Sequence, residues 1–194
     1  LFIAPQVAVA ILMPILITMD IFVVYKFRRH FNRRIVLTLL AGGLIGLFLG
    51  TIAFTSFSPD LVRFFIGALA LFFVAQFVVL RRSKKPSPPQ SAWTGASLGV
   101  LSGFSSYVAH AGGPPVKGYL LRQGLDKTTF VGTNTMFFFT MNAIKVVAYG
   151  STGIMDAHTL KTSVILSPCL FVGIALGAAL HRHITQEKFT LVVY

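Results

Sequence analysis

The sequence predicts an all-α integral membrane protein: a polytopic helical bundle of two repeated halves in inverted orientation, with a broken or re-entrant segment at Gly112–Pro115. Three observations carry that prediction. Several apolar runs have bilayer-spanning length, an internal repeat recurs at a spacing of 122 to 127 residues, and a Gly-Gly-Pro-Pro sequence interrupts what would otherwise be a hydrophobic helix.

The first observation is compositional. Of 194 residues 55% are hydrophobic and 11% charged, with a mean hydropathy of +0.77, whereas a soluble domain is about a quarter charged. A bilayer core needs about 20 consecutive apolar residues per helix. Residues 1–25, 36–57, 61–80, 129–149 and 162–180 each supply that length, so the chain is expected to cross the bilayer several times.

Charge then orients these spans. The formal net charge is +12, but the basic residues sit in short connections beside apolar runs, which points to topology signals rather than nucleic-acid binding. KFRRHFNRR (26–34) and RRSKKPSPP (81–89) are the two clusters, and the positive-inside rule places both in the cytoplasm. The span 36–57 then runs outward and 61–80 returns. The single Cys169 excludes a disulfide within the chain and reads as packing.

The second observation is the repeat. Thr18-Met19-Asp20 followed by IFVVY matches Thr140-Met141-Asn142 followed by AIKVVAY; Gly46 and Gly50 match Gly173 and Gly177; Ser58-Pro59-Asp60 matches Thr185-Gln186-Glu187. This order suggests a duplication, with residues 1–90 as the first half and 91–194 as the second half of one membrane domain. At the same spacing the first half's copy of residues 98–122 falls before Leu1, and the last helix is cut short. The chain therefore reads as the middle of a longer protein.

The third observation is the break. Proline lacks an N–H and clashes with the preceding turn, while glycine accepts backbone angles other residues avoid, so Gly112-Gly113-Pro114-Pro115 ends a helix and leaves backbone groups unpaired. At membrane depth such groups are tolerated only when buried in protein or lining a watery cavity. A helix restarting near Pro114 would turn its positive end toward an anion. If 92–121 enters, breaks and leaves on the side it came from, Lys117, Arg122, Lys127, Arg182 and Lys188 join the two basic clusters, leaving Arg63 and Lys161 opposite. That partition fits the positive-inside rule better than a single crossing, and it makes the two halves an inverted repeat. The alternative is that Gly112–Pro115 forms an extramembrane turn.

The stretch SGFSSYVAHAGGPPVKGYLLRQGLDKTTFVGTNTMFFFTMNAIKVVAYG (102–150) resembles the second-half signature of the sulfite exporter TauE/SafE family, also called the DUF81 or TSUP transporters. The resemblance covers the whole chain, and its specific part is GGPP followed by the FVGT…FF…N…K pattern. It implies a permease of two repeated halves that moves sulfite, sulfoacetate or other organosulfonates, in the outward direction, in a bacterial inner membrane. The family's first-half glycine-rich motif would lie before Leu1.

Read from the residues, the candidate substrate-binding set is His110, Gly112, Gly113, Pro114, Asn134, Asn142 and Lys145, with Asp20 as a coupling or gating residue. A lysine at the centre of a membrane helix costs about 3 kcal/mol on insertion scales and calls for a partner or a function. Binding a small organic or inorganic anion is one such function, and snorkelling to the interface beside Tyr149 and Gly150 is the other reading. Asn134, Phe138, Asn142 and Lys145 share one helical face. His110 stands as either a proton-coupled residue or a neutral ring satisfied by a backbone carbonyl. Asp20 has three readings: it carries a coupling proton, holds Lys145 from the opposite half, or pairs with the basic loop. Ser106 and His110 lie one helical turn apart, but no orienting acid stands nearby, so a catalytic role is not expected. No cofactor and no metal is predicted. The competing functions are a metal-ion transporter and a non-transport membrane assembly protein, and the oligomeric state is open.

Overall fold

The structure is a computed structural model that describes residues 5–82, 90–151, 153 and 155–193. The RRSKKPSPP cluster falls largely outside these residues. The described chain is helical throughout: α1 (Pro5–Phe27), α2 (Arg33–Ser56), α3 (Pro59–Arg82), α4 (Ala92–Ala109), α5 (Gly113–Leu121), α6 (Lys127–Ser151), α7 (Ala157–His183) and α8 (Gln186–Val193). Side-chain caps set several of the starts. Asn32 accepts from the Ile35 amide before α2, Ser91 from the Thr94 amide before α4, and Asp156 forms a reciprocal capping box with Thr159 before α7, which satisfies amides that have no intrahelical partner. Pro14 sits inside α1 and the helix continues through it.

Helix boundaries recur at the repeat spacing. Pro5 and Lys127 open α1 and α6, Ser56 and His183 close α2 and α7, and Pro59 and Gln186 open α3 and α8. α1 and α6 run antiparallel: the His30 carbonyl lies against Gly132, while Asp20 meets Asn142 further along both helices. α7 runs parallel to α1, with Ser163 donating to the Ile11 carbonyl at one end and Phe27 packed on His181 at the other.

α2 and α4 make the most intimate pair. They lie parallel and interlock through glycines at four-residue spacing on both helices. A Cβ on Gly46 would stand 1.9 Å from the Val100 carbonyl oxygen, and one on Gly103 would stand 2.1 Å from that of Gly43. Small residues let membrane helices approach to backbone contact, where dispersion and weak polar contacts replace the absent hydrophobic drive. The Gly46/Gly50 pair therefore packs helices within the chain, whereas a Cβ on Gly173 or Gly177 would meet nothing within 4 Å.

α5 folds back along α4. Gly112 lies beside Ser102 and Ser106, the Tyr119 ring beside Gly95, and the Gln123 side chain donates to the Gln90 carbonyl. The segment 92–121 is thus a hairpin whose two ends are neighbours. These contacts put the 26–34 loop, Arg122, Lys127 and Arg182 at one end of the bundle and the start of α3 with Arg63 at the other. Trp93, 85% exposed at the start of α4, stands at the basic end, a position typical of the aromatic belt. Among the described residues α1, α2 and α7 are long and apolar enough to cross a membrane. α6 has the length but carries Asn134, Asn142 and Lys145, and it buries Phe137, Met141, Asn142 and Lys145 against its neighbours.

Candidate functional site

The break is built by α4's last turn. His110 caps the helix in the left-handed conformation, φ 51° and ψ 26°, which costs a non-glycine residue roughly 1–2 kcal/mol. Its amide and that of Ala111 return to the Ser106 and Ser105 carbonyls. The chain then reverses through Gly112, where a Cβ would stand 2.7 Å from the Ser102 carbonyl oxygen and 2.8 Å from its hydroxyl. Ser102 closes the reversal by donating to the Gly112 carbonyl at 2.7 Å. Gly112 is therefore required by space. Gly113 is not, since its nearest neighbour would be a Lys117 methylene at 3.9 Å.

α5 starts with prolines in its first turn and no side-chain cap. The expected anion-facing helix start is thus poorer in donors than an ordinary one, because Pro114 and Pro115 carry no N–H.

Facing this break is Lys145, 1% exposed. Its ammonium donates to the Ser106 carbonyl at 3.2 Å, to the Ser106 hydroxyl at 2.9 Å and to His110 Nδ1 at 3.1 Å. The lysine does not snorkel. Tyr149, a turn later, is fully buried, and its hydroxyl donates to the Tyr107 carbonyl at 2.5 Å. Because an ammonium can only donate, His110 Nδ1 must accept. The ring proton then lies on Nε2, which donates to the Val9 carbonyl of α1 at 2.9 Å. This geometry matches the neutral, carbonyl-satisfied reading of His110.

Asp20 and Asn142, each 4% exposed, form a second buried contact, with the Asn142 amide donating to the Asp20 carboxylate at 2.6 Å. Asp20 neither reaches the basic loop nor makes an ion pair with Lys145. Among the described residues the ion pair present is Arg63 with Asp60 at the surface. The structure thus brings together His110, Gly112, Asn142, Lys145 and Asp20 from the expected set. Asn134 lies three turns from Lys145 along α6, with its side-chain oxygen buried and unpartnered.

Two partners lie outside the candidate set. Ser106 contributes both a hydroxyl and a carbonyl to Lys145, and its i−4 spacing from His110 was the available signal. The Val9 carbonyl is a backbone atom of α1, and no side-chain pattern could reveal it. Among the described residues no three His, Cys, Asp or Glu side chains converge as a metal set.

Comparison with protein families matches residues 1–194 to Sulfite exporter TauE/SafE. The chain belongs to the TauE/SafE family. Membership makes it a membrane transporter of sulfite-type anions, and the TauE/SafE match spans the whole chain, α1 to α8. No curated protein and no solved structure matches the chain.

Proposed function

We propose that the protein is a permease for sulfite and small organosulfonates, acting as an exporter in a bacterial inner membrane, with its anion site at the α4–α5 break near the bilayer midplane. The observation that carries this reading is a buried cation whose hydrogen-bond partners are all neutral, the Asp20 carboxylate lying beyond ion-pair distance. Lys145 is 1% exposed, and its hydrogen-bond partners are a carbonyl, a hydroxyl and an imidazole. A buried charge without a directly paired counter-ion is costly, and an incoming sulfur oxyanion supplies direct pairing together with stronger, charge-assisted hydrogen bonds.

His110 is the partner an anion would displace. Its neutral Nδ1 is a single acceptor on a side chain, whereas Ser106 offers both a carbonyl and a hydroxyl. Displacing the ring loosens its bond to the Val9 carbonyl, and with it a link between α1 and the α4–α5 hairpin. Binding at Lys145 thereby biases how the halves sit against each other, as alternating access requires. Asp20 contributes through Asn142, which lies one turn before Lys145 on α6.

A second reading also has a specific observation behind it. Lys145 occupies the carbonyl end of α4, where a cation interacts favourably with the helix dipole, and so could serve as a structural cap. Flux of sulfite, sulfoacetate, other sulfonates and carboxylates through liposomes carrying the full-length protein separates the two. Saturable, mutually competing flux of sulfite and sulfonates is expected. An impermeable but correctly folded protein would leave Lys145 as a cap.

A further inference from the structure

The serine beside Lys145 has a proton to spare. Ser106 is 2% exposed, and its hydroxyl oxygen accepts from the Lys145 ammonium at 2.9 Å. Among the described residues no acceptor takes the hydroxyl's own proton. Its neighbours are different. Ser102 donates to the Gly112 carbonyl at 2.7 Å and Ser105 to the Leu101 carbonyl at 2.8 Å. Across the interface, Thr140 on α6 donates to the Met136 carbonyl at 3.0 Å.

A serine within a helix ordinarily spends its proton on the carbonyl three or four residues back. For Ser106 the carbonyl four back is that of Ser102, and it is already in use. It receives the Ser105 hydroxyl at 3.3 Å and lies where a Cβ on Gly112 would stand 2.7 Å away. The reversal at Gly112 also packs on Ser106, whose Cβ would be 2.8 Å from a Cβ there. The hydroxyl is therefore left facing α6, beside the ammonium. A buried donor without an acceptor carries a desolvation penalty that an incoming acceptor removes.

We propose that the Ser106 hydroxyl is a second donor to the transported anion, so that the site grips an oxyanion through Lys145 and Ser106 together. This rests on the reading of Lys145 as the anion's counter-charge. Because the anion displaces His110, Lys145 keeps its bond to the Ser106 oxygen in both the empty and the loaded protein. Ammonium and hydroxyl stand 2.9 Å apart, so one oxygen can receive both donors, or two oxygens on one sulfur can receive one each. Accepting from an ammonium also polarises the Ser106 O–H and strengthens it as a donor. The class favoured is an anion with several oxygens on one centre.

A purely structural serine behaves otherwise. If Ser106 only accepts from Lys145, its hydroxyl contributes equally to the empty and the loaded protein, and removing it leaves the anion's affinity unchanged. If the anion displaces the hydroxyl in place of His110, removing it tightens binding. Only a donor to the anion weakens binding when it is lost.

The test is calorimetric binding of sulfite to the full-length protein in detergent, for wild type, Ser106→Ala, Ser106→Cys, Ser105→Ala and Lys145→Met. Ser106→Ala is expected to bind roughly tenfold or more weakly, since hydrogen bonds to charged groups are among the stronger ones. Ser106→Cys, with its weaker S–H donor, should fall between Ser106→Ala and wild type. Ser105→Ala should match wild type, because its hydroxyl is committed to Leu101. Unchanged or tighter binding by Ser106→Ala would overturn the proposal. So would equal weakening in Ser105→Ala, which would trace the effect to the packing of α4. Should Ser106→Ala lose its ligand-free melting transition, Ser106→Cys decides alone: weaker binding supports the second donor and wild-type affinity overturns it. Lys145→Met separates the two claims. Binding lost there but kept in Ser106→Ala removes the serine's role alone, whereas Lys145→Met binding like wild type, or wild type binding no sulfite, removes the underlying reading and the serine's role with it.

Discussion

The Asn142 amide donates to the Asp20 carboxylate at 2.6 Å, and the two residues are 122 positions apart, the spacing of the repeat itself. Asp20 and Asn142 hold equivalent positions at that spacing, and α1 and α6 are antiparallel where they meet. The contact therefore ties α1 to α6 at one register.

Exchanging the pair tests this directly. Asn142→Asp sets two carboxylates against each other in a buried site and is expected to lower stability by about 1–3 kcal/mol. The double variant Asp20→Asn/Asn142→Asp restores one amide and one carboxylate with roles reversed. Thermal melts should show most of the loss recovered, with a coupling of about 0.5–3 kcal/mol. A double variant no more stable than Asn142→Asp contradicts that tie.

The α2–α4 interface makes a sharper steric prediction. Gly46→Ala drives a methyl into the Val100 carbonyl, where nothing flexible can yield, and should cost about 1–3 kcal/mol. Gly150→Ala, whose Cβ meets nothing within 4 Å on α6, is the matched control. It should leave the melting temperature unchanged or raise it, since alanine is favoured over glycine in a helix.

Removing the His110 ring distinguishes a competitor from a ligand. His110→Gly accepts the left-handed backbone freely and frees one Lys145 N–H donor for an anion. Sulfite should then bind about tenfold more tightly, the equivalent of about 1.4 kcal/mol, while flux falls because the link to Val9 is gone. Weaker binding in calorimetry would make His110 a direct anion ligand instead.

Outside the membrane, Asp126 caps the start of α6. Hydrogen bonds from the Thr129 side chain and amide and from the Thr128 amide hold its carboxyl below the ordinary carboxylate value of 3.8. With a lowered folded pKa, its contribution is present above that ordinary value and is lost as pH falls through the folded one. Asp126→Ala should cost about 1 kcal/mol at neutral pH. The difference from wild type should shrink toward zero in strongly acidic buffer, as read by denaturant melts.

Much of this architecture is legible in the sequence, for identifiable reasons. The spans appear because a bilayer demands length and apolarity, and the break appears because Gly112 to Pro115 cannot continue a helix. The charge partition pointed to the hairpin that α4 and α5 form. What stayed hidden depends on contacts between elements. Gly42 to Gly50 and Gly95 to Gly103 each carry the small-residue signal, but nothing in either run says that they face each other. Asp20 has two attractive partners by charge, Lys145 and the basic loop, yet packing gives it Asn142. Lys145 is satisfied by Ser106 and by a ring whose other nitrogen needs the Val9 carbonyl, an arrangement that exists only once α1, α4 and α6 pack together.

The central proposal is that Lys145 supplies the anion's counter-charge. The most direct test is the rise in melting temperature of the full-length protein on adding sulfite, compared between wild type and Lys145→Met. At about a hundredfold excess over the dissociation constant, binding stabilises the folded protein by about 2.7 kcal/mol. A clear upward shift is expected in wild type and none in Lys145→Met, whatever the melting temperature of the ligand-free variant. A variant that keeps the full sulfite-dependent shift contradicts it and returns Lys145 to the role of a cap on α4.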